Sequence, residues 1–568
     1  MTDQYEELLK AHTAPRQLFE WEEVIDSNGV TYREFCNPGI PKTLRGYFDF
    51  GLLHPEEDWL VYEDERYTYK EVFNKAAQTA NALKEAGVQK GDRVAICMMN
   101  NPEYIMSFMA ITGMGAVVVP LNSWWVPSEV SHGLNHCDAK VLIADEKRLM
   151  GLEKNSDVTK IIVRSETESD YQNFNEFINN HSIEWPEVEI LNNDNATLFY
   201  TSGSTGFPKG VLSSHRNVLA TLFSWTCYSS IRGQMSDSAG GLGENPDGTK
   251  KTISVLHCVP LFHVTGSHSS FLISVLVGRK IVMMKKWDAT EALKLIEQEK
   301  ITNVTGVPTQ SWEILSHPER DKYDISSLED LGGGGAARPA EHVKQMDEQF
   351  EARPSIGYGL SETNALGTLN GGDEYLQYPS SCGRIVPPLT DINIIDEDWN
   401  VLKEGEVGEV VIKSTGNMVG YWKNPEATAE VFNDDGWFKS GDLGYFDGPF
   451  LHIVDRVKDL VIRGGENISC IEVEAAIYEH SEVLEVCIIG IPDERLGELV
   501  ASAVHLKPGV DLSQDDIQGF LAGKIAAFKI PHEVRFFKDP LPTIINEMSF
   551  LKSLITIFAA SIKQSIPL

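Results

Sequence analysis

The run Tyr200-Thr201-Ser202-Gly203-Ser204-Thr205-Gly206-Phe207-Pro208-Lys209-Gly210 holds the residues of this chain best suited to chemistry. Its glycines let the backbone turn tightly and bring N–H groups close to an anion. Ser202, Ser204 and Thr205 add hydroxyl donors, and Lys209 adds a point charge for terminal phosphates. The arrangement is not the Walker loop, because the lysine follows a proline and the glycines are spaced differently. A flexible Ser/Gly linker has no need of the Pro-Lys-Gly ending or of the apolar run from Ala196 to Tyr200 before it. His263, in Pro260-Leu261-Phe262-His263, reads on its own chemistry more readily as a satisfied core histidine than as a reactive one.

A phosphate cradle needs a strand before it and a sheet around it. Tyr69 to Ala86 carries Phe73, Ala76, Ala80 and Leu83 on one face and stops at Gly87, which predicts a helix. Val94 to Met98, Ala116 to Val119 and Val141 to Ala144 predict buried strands. Pro102 opens a helix at the turn where a missing N–H costs nothing, and Asp288-x-x-Glu291 marks another helix start. Strand and helix in alternation predict an α/β fold with parallel sheets covered by helices. Gly233 to Gly248, rich in glycine and acidic residues, is expected to be a surface insertion. After about Asp455 a smaller pattern begins, with a helix from Ile471 to Glu479 and strands at Val483 to Ile489 and Leu499 to Leu506. A domain boundary is placed there.

At 568 residues the chain exceeds one ordinary core, so two or more domains are expected. A hydrophobic share of 42% and a charged share of 23% are those of a globular protein. The net charge of −34 disfavours nucleic acid and anionic membrane surfaces as partners, so an anionic substrate requires local positive potential. Eight scattered cysteines without a CxxC pair predict reduced thiols. The first residues lack the apolar centre of a signal peptide, and no run of about 18 apolar residues predicts a membrane span. The expected location is the cytoplasm or another intracellular compartment. The final Ile566-Pro567-Leu568 does not support a peroxisomal address.

From about Leu60 to about Pro542 the sequence resembles the adenylate-forming (AMP-binding) superfamily: fatty acyl-CoA and 4-coumarate–CoA ligases, peptide-synthetase adenylation domains and beetle luciferases. The resemblance implies that Thr201, Ser202, Gly203, Ser204, Thr205, Gly206 and Lys209 bind ATP, with Thr205 and Glu362 at Mg²⁺. Within Ile356 to Thr363 it implies nucleotide contacts from Gly357, Tyr358 and Gly359, with Tyr358 stacked on adenine and Ser361 bonded to the α-phosphate. Gly335 and Ala336 lie between adenine and the acyl pocket; Ala337 stands where the family often has proline. Asp442 and Arg456 take the ribose, Lys458 is the pivot, and Arg463, Gly464 and Gly465 meet CoA. Lys209, Glu362 and His263 are the implied catalytic residues, His263 gating the acyl pocket.

The implied architecture is a large domain, 1–454, of helix-covered, mostly parallel sheets with a β-barrel-like subdomain. A hinge at 455–459 and a small mobile α+β lid at 460–568 follow, its last ~25 residues atypical. The implied reaction joins a small carboxylic acid to coenzyme A through an acyl-adenylate, with ATP and Mg²⁺. Neither nucleic acid nor a membrane span is expected, and a homodimer is left open. A medium- or long-chain fatty acid is the favoured substrate, since Gly332 to Gly335 have no side chains to close a pocket floor. An arylalkenoate is the rival, against which Ile356 stands in place of a glutamine such ligases often carry. A non-catalytic nucleotide- or acyl-binding homologue is the third reading, and an amino-acid adenylation domain fits less well because no carrier domain follows. The third reading rests on the tail. After Leu541-Pro542 no Gly-Lys follows, Met548 sits about where the family's adenylation lysine belongs, and Lys552 is the nearest cation. Either the sequence from Ile544 to Leu568 is a spliced or frame-shifted reading, favoured because every upstream motif is intact, or that lysine has been lost.

Overall fold

The apolar runs become inner strands of two large sheets in the computed structural model. It describes residues 2–26, 29–153, 157–165, 169–201, 208–235, 252–335, 338–349, 352–457, 460–463, 466–493, 495–539 and 541. The first sheet has eight strands, ordered Gly420–Tyr421, Lys209–Ser214, Asn195–Thr201, Val117–Pro120, Arg93–Cys97, Ala139–Asp145, Thr159–Val163 and Gln172–Asn173. All neighbours from Asn195–Thr201 onward pair in parallel, while the two strands at the other edge are antiparallel. The second sheet has nine strands. Its parallel centre runs Asp58–Tyr62, Lys280–Met283, Ser254–His257, Asn303–Gly306, Asp330–Gly334 and Arg353–Tyr358.

Buried β-branched runs such as Val117-Val118-Val119 suit strands covered on both faces. The covering helices start where the sequence places them. Thr68 and Glu71 form a reciprocal capping box at Tyr69–Glu85, Pro102 stands in the first turn of Pro102–Gly113, and the Asp288 side chain accepts the Glu291 N–H. Every residue of Pro102–Gly113 is buried, and its apolar side chains share one core with Val94, Ile96 and Val118 of the first sheet and Val255 and Ile281 of the second. Trp59 stacks on Tyr69 at 4.5 Å, and its indole N–H donates to Ser274 Oγ at 2.8 Å.

The subdomain implied as barrel-like is a four-stranded antiparallel sheet, ordered Thr390–Ile395, Gly408–Ser414, Phe438–Asp447 and Phe450–Arg456. A five-stranded sheet follows residue 460, with Val461–Arg463, Glu466–Ile468, Val483–Asp493, Gly497–Leu506 and Glu533–Phe537. It packs on helices Cys470–Tyr478 and Gln514–Leu521 around a core of its own. The expected insertion begins later than Gly233: Gly233 to Met235 complete the helix His215–Met235, and residues 236–251 lie outside the described residues. The physical reason is an anchor in the last turn, where Arg232 reaches the buried Glu374 at 2.6 Å.

Glu374 also accepts from Arg384 at 2.9 Å, so one buried carboxylate joins that helix, Gly372–Gln377 and the sheet-edge strand Arg384–Ile385. Replacing it by a neutral amide removes the buried carboxylate that Arg232 and Arg384 share. Glu374→Gln is expected to lower stability by about 3–5 kcal/mol, read as a shift in the urea midpoint of tryptophan fluorescence; an unchanged midpoint would contradict the role.

Candidate active site

Strands Asn195–Thr201 and Lys209–Ser214 pair in antiparallel register, with Thr201 opposite Lys209. The expected phosphate loop is therefore closed at its neck, where Thr201 Oγ1 donates to the Lys209 carbonyl at 3.4 Å. Ser202, Gly203, Ser204, Thr205 and Gly206 lie outside the described residues. Lys209 leaves the neck with its ammonium 4.6 Å from the centre of the Tyr421 ring.

Glu362 comes to the same place from the other sheet. Arg353–Tyr358 ends at Tyr358, and the chain turns back so tightly that a Cβ on Gly359 would lie 2.4 Å from the Ala365 carbonyl. Only glycine fits that close approach. Ser361 opens the helical turn Ser361–Thr363, and both ends of Glu362 are held: Met418 N–H donates to its carbonyl at 2.7 Å, and Tyr421 O–H to its Oε1 at 2.8 Å. Burial pushes this carboxyl above its ordinary range, while the Tyr421 hydroxyl, Lys209 and Arg456 pull it back.

A second cluster lies one strand end away. Tyr358 O–H donates to Asp442 Oδ2 at 2.7 Å, and Asp442 stands opposite Arg456 in the antiparallel ladder, its Oδ1 3.9 Å from Arg456 Nε. Burial, then the Asp442 charge, raises the Tyr358 phenol. Gly335 follows Asp330–Gly334 at φ +76, a left-handed position that glycine tolerates, and Gly334 and Gly357 are paired across the sheet.

His263 sits in a turn fixed by the first sheet. Asn100 accepts from Leu261 N–H and donates to the carbonyls of Val259 and Met284, and Tyr104 O–H donates to the Leu261 carbonyl. The imidazole lies on Phe262 at 4.5 Å, and burial pushes its pKa down to about 4. Among the described residues no hydrogen bond or ion pair joins the side chains of His263 or Arg463 to the other candidates; Arg463 ends the strand Val461–Arg463. Ala336, Lys458, Gly464 and Gly465 lie outside the described residues, as does the tail from Pro542.

Sequence reasoning missed three residues that shape this site. Tyr421 is one. The others are His268 and Asn364: buried His268 takes a bond from Ser267 O–H and bonds Asn364 Oδ1 at 3.1 Å, and Asn364 donates to Ser213 Oγ and the Gly416 carbonyl. This chain of bonds ties the turn holding Glu362 to the strand leaving the phosphate loop. Asn364 sits directly after the Glu362-Thr363 motif, at φ +53, where asparagine is a common choice; that was the one available signal. Among the described residues there is no group of three or more His, Cys, Asp or Glu able to hold a metal, and no helix long and apolar enough to cross a membrane. All eight cysteines are free thiols, as their spacing implied.

Comparison with known proteins identifies the family. Residues 52–422 match the AMP-binding enzyme model, and residues 472–546 match the AMP-binding enzyme C-terminal domain. The long-chain-fatty-acid–CoA ligase of Bacillus subtilis (strain 168) is 31% identical over 89% of this chain and 93% of its own length. A feruloyl-CoA synthase of an Amycolatopsis species is 33% identical over 84% of this chain and 91% of its own. A Mycobacterium tuberculosis fatty acyl CoA synthetase structure superposes with a TM-score of 0.69 at 28% identity, covering 92% of this chain and 99% of that one. An anthranilate CoA ligase in complex with anthranoyl-AMP reaches a TM-score of 0.81 over 91% of this chain and 98% of its own, at 24% identity, a likeness of fold alone. Fold and matches together define the class, an AMP-forming ligase of the acyl-CoA synthetase kind that works through an acyl-adenylate. The chain belongs to the AMP-binding enzyme family.

Burial holds five imidazoles neutral: His215, His263, His268 and His342 are pushed down to about 4, and His257 to about 3. Each folded value lies below the ordinary 6.5, so on acidification the unfolded chain takes up protons that the native one refuses. Stability is therefore fully present above about pH 6.5 and falls as the pH drops, by up to about 1.4 kcal/mol per unit for each histidine. Asp330, raised to about 6 by burial, acts in the opposite sense and offsets about one of them. The thermal midpoint is expected to fall between pH 6.5 and 5, less so in His268→Gln; a flat profile would contradict the buried neutral imidazoles.

Proposed function

We propose that the enzyme is an ATP-dependent acid:CoA ligase whose acid is a medium- or long-chain fatty acid. The observation that carries this reading is the convergence, from three sheets, of the Thr201–Lys209 neck, Glu362, and the Tyr358–Asp442–Arg456 group. Groups suited to an anion, to a hard cation and to ribose hydroxyls are thus linked by contacts across those sheets, as a nucleotide requires. Tyr358 offers a ring for adenine, Asp442 two acceptor oxygens for ribose hydroxyls, and Lys209 a charge for the pyrophosphate that leaves. Ser361 stands where the α-phosphate is attacked by the carboxylate of the acid.

Glu362 suits Mg²⁺. A single half-buried carboxylate, with one oxygen steadied by Tyr421, fits a hard cation that takes its other ligands from water and phosphate oxygens. Bound there, Mg²⁺ would lower the repulsion between the acid and the triphosphate. That repulsion reaches several kcal/mol at about 4 Å in a low-dielectric site. Residues 455–459 serve as the hinge and 460–568 as a lid whose rotation brings Arg463, Gly464 and Gly465 to CoA. Of Gly332 to Gly335 only Gly335 has open space where a side chain would stand, since a Cβ on Gly333 would lie 2.7 Å from Arg338 Nη2 and one on Gly332 3.1 Å from Asp330 Oδ1; room for an apolar tail is therefore expected at Gly335.

The fatty-acid and feruloyl relatives are almost equally similar to the chain, and this favours an arylalkenoate as the second reading. A single-turnover assay with labelled ATP, CoA and a panel of acids separates them. AMP and thioester are expected to appear together and fastest with fatty acids of medium or long chain. Preference for ferulate or 4-coumarate would favour the second reading, and absence of both products would leave a binding protein.

The C-terminal match ends at residue 546, short of Met548, where the family's lysine is expected. Glu547→Gly with Met548→Lys is expected to speed acyl-adenylate formation by at least about 10²-fold, the scale of a positioned charge at a transition state. Thioester formation from supplied acyl-adenylate should be the same in both proteins. Equal adenylation rates would show that this chain draws its charge from elsewhere.

A further inference from the structure

Among the described residues, Tyr421 is the side chain that touches both Lys209 and Glu362. Its hydroxyl donates to Glu362 Oε1 at 2.8 Å, and its ring face carries the Lys209 ammonium at 4.6 Å from the centroid. Its backbone is fastened from two directions. In the first sheet Tyr421 pairs with Val211 and Gly420 with Leu212, while the Trp422 N–H donates to the Gly210 carbonyl. On the other side the Tyr421 N–H donates to Thr428 Oγ1 at 2.9 Å, and Gly420 packs so close to Thr428 that a Cβ would lie 2.9 Å from its methyl. The ring is thus set in place by backbone that neither Lys209 nor Glu362 supplies.

An ammonium and a carboxylate in one cleft ordinarily collapse into an ion pair. Lys209 lies near enough to Glu362 to lower its carboxyl pKa, yet the two form no ion pair among the described residues. The phenol stands between them: a neutral donor holds the carboxylate without cancelling its charge, and an aromatic face holds the ammonium without offering it a counter-ion. We propose that Tyr421 is a positioning residue that keeps Lys209 and Glu362 apart and unpaired, so that the carboxylate stays free for the nucleotide's divalent cation and the ammonium for its phosphates. The inference rests on the assignment of Glu362 and Lys209 to those two partners.

Mn²⁺, titrated into the full-length protein with ATP and read by electron paramagnetic resonance, tests it without turnover. ATP binding in the absence of metal is measured beside it by calorimetry. Tyr421→Phe keeps the ring and loses the hydroxyl. It is expected to raise the Mn²⁺ half-saturation by at least about tenfold, the scale of one hydrogen bond to a charged group, while metal-free ATP binding stays as in wild type. Tyr421→Leu removes the ring as well and is expected to weaken both, because Lys209 then pairs with Glu362. An unchanged Mn²⁺ half-saturation in Tyr421→Phe, or equal weakening of metal and metal-free binding in that variant, overturns the spacer role alone. Wild-type protein that retains neither ATP nor ATP·Mn²⁺ overturns the assignment of the two partners as well.

Discussion

A carboxylate that must receive a ligand cannot be left bare in a half-buried cleft, and it cannot be neutralised by a resident cation. Phenols hold both carboxylates of the candidate site, and at Glu362 they do so with no ion pair among the described residues. Tyr421 O–H holds Glu362 at 2.8 Å and Tyr358 O–H holds Asp442 at 2.7 Å. In each case one oxygen accepts a neutral donor, so the desolvation penalty is reduced while the negative charge persists. Asp442 also pairs with Arg456 at 3.9 Å, whereas the lysine beside Glu362 rests on an aromatic face. The site is therefore poised electrostatically before any ligand arrives, at positions where a chain of net charge −34 would otherwise repel a polyphosphate.

The scaffold's task is to hold these groups to within a few tenths of an ångström although they come from segments more than 200 residues apart. Strands Asn303–Gly306, Asp330–Gly334 and Arg353–Tyr358 run parallel and deliver Gly335, Tyr358 and the Glu362 turn to one end of their sheet. The ends of parallel strands are where open α/β sheets present ligands. Buried side-chain amides then lock the two sheets together. Asn100, beyond the first sheet's Arg93–Cys97, binds the backbone at Val259, Leu261 and Met284. Asn364 joins the Glu362 turn to Ser213 and Gly416. Such bonds lie in a dry interior where leaving one unmade is costly, so they fix register more than they add net stability.

This division of labour explains how far the sequence could be read. Helix starts at Thr68, Pro102 and Asp288 were legible because capping is local chemistry confined to four residues. The parallel sheets were legible from period and alternation. Lys209, Tyr358, Glu362, Asp442 and Arg456 were legible as motif residues, and they do converge. Tyr421 was not, because its meaning lies in two contacts, with residues 59 and 212 positions away along the chain, and a Gly-Tyr-Trp run looks like any strand end. His268 was hidden for the same reason, its partner Asn364 lying 96 positions on. The extent of the helix His215–Met235 was misread because Gly233 signals a break locally, and only the distant Glu374 shows why the helix continues through it.

Among the described residues, the bonds from Thr201, Tyr421 and Tyr358 to Lys209, Glu362 and Asp442, with the ladder pairing of Asp442 and Arg456, come from between Thr201 and Arg456. Arg456 is the last described residue of the ladder before the five-stranded sheet begins at Val461. The charges proposed to receive a nucleotide thus lie in the part of the chain that precedes that sheet. On the proposed reading, what the later part contributes is of another kind: a charge or surface brought to that site. Binding and chemistry then depend on different stretches of sequence, so a change in the C-terminal residues can alter rate while leaving the nucleotide's seat intact. Enzymes that use one cleft for two successive half-reactions gain from this separation, because the seat need not be rebuilt when the lid turns.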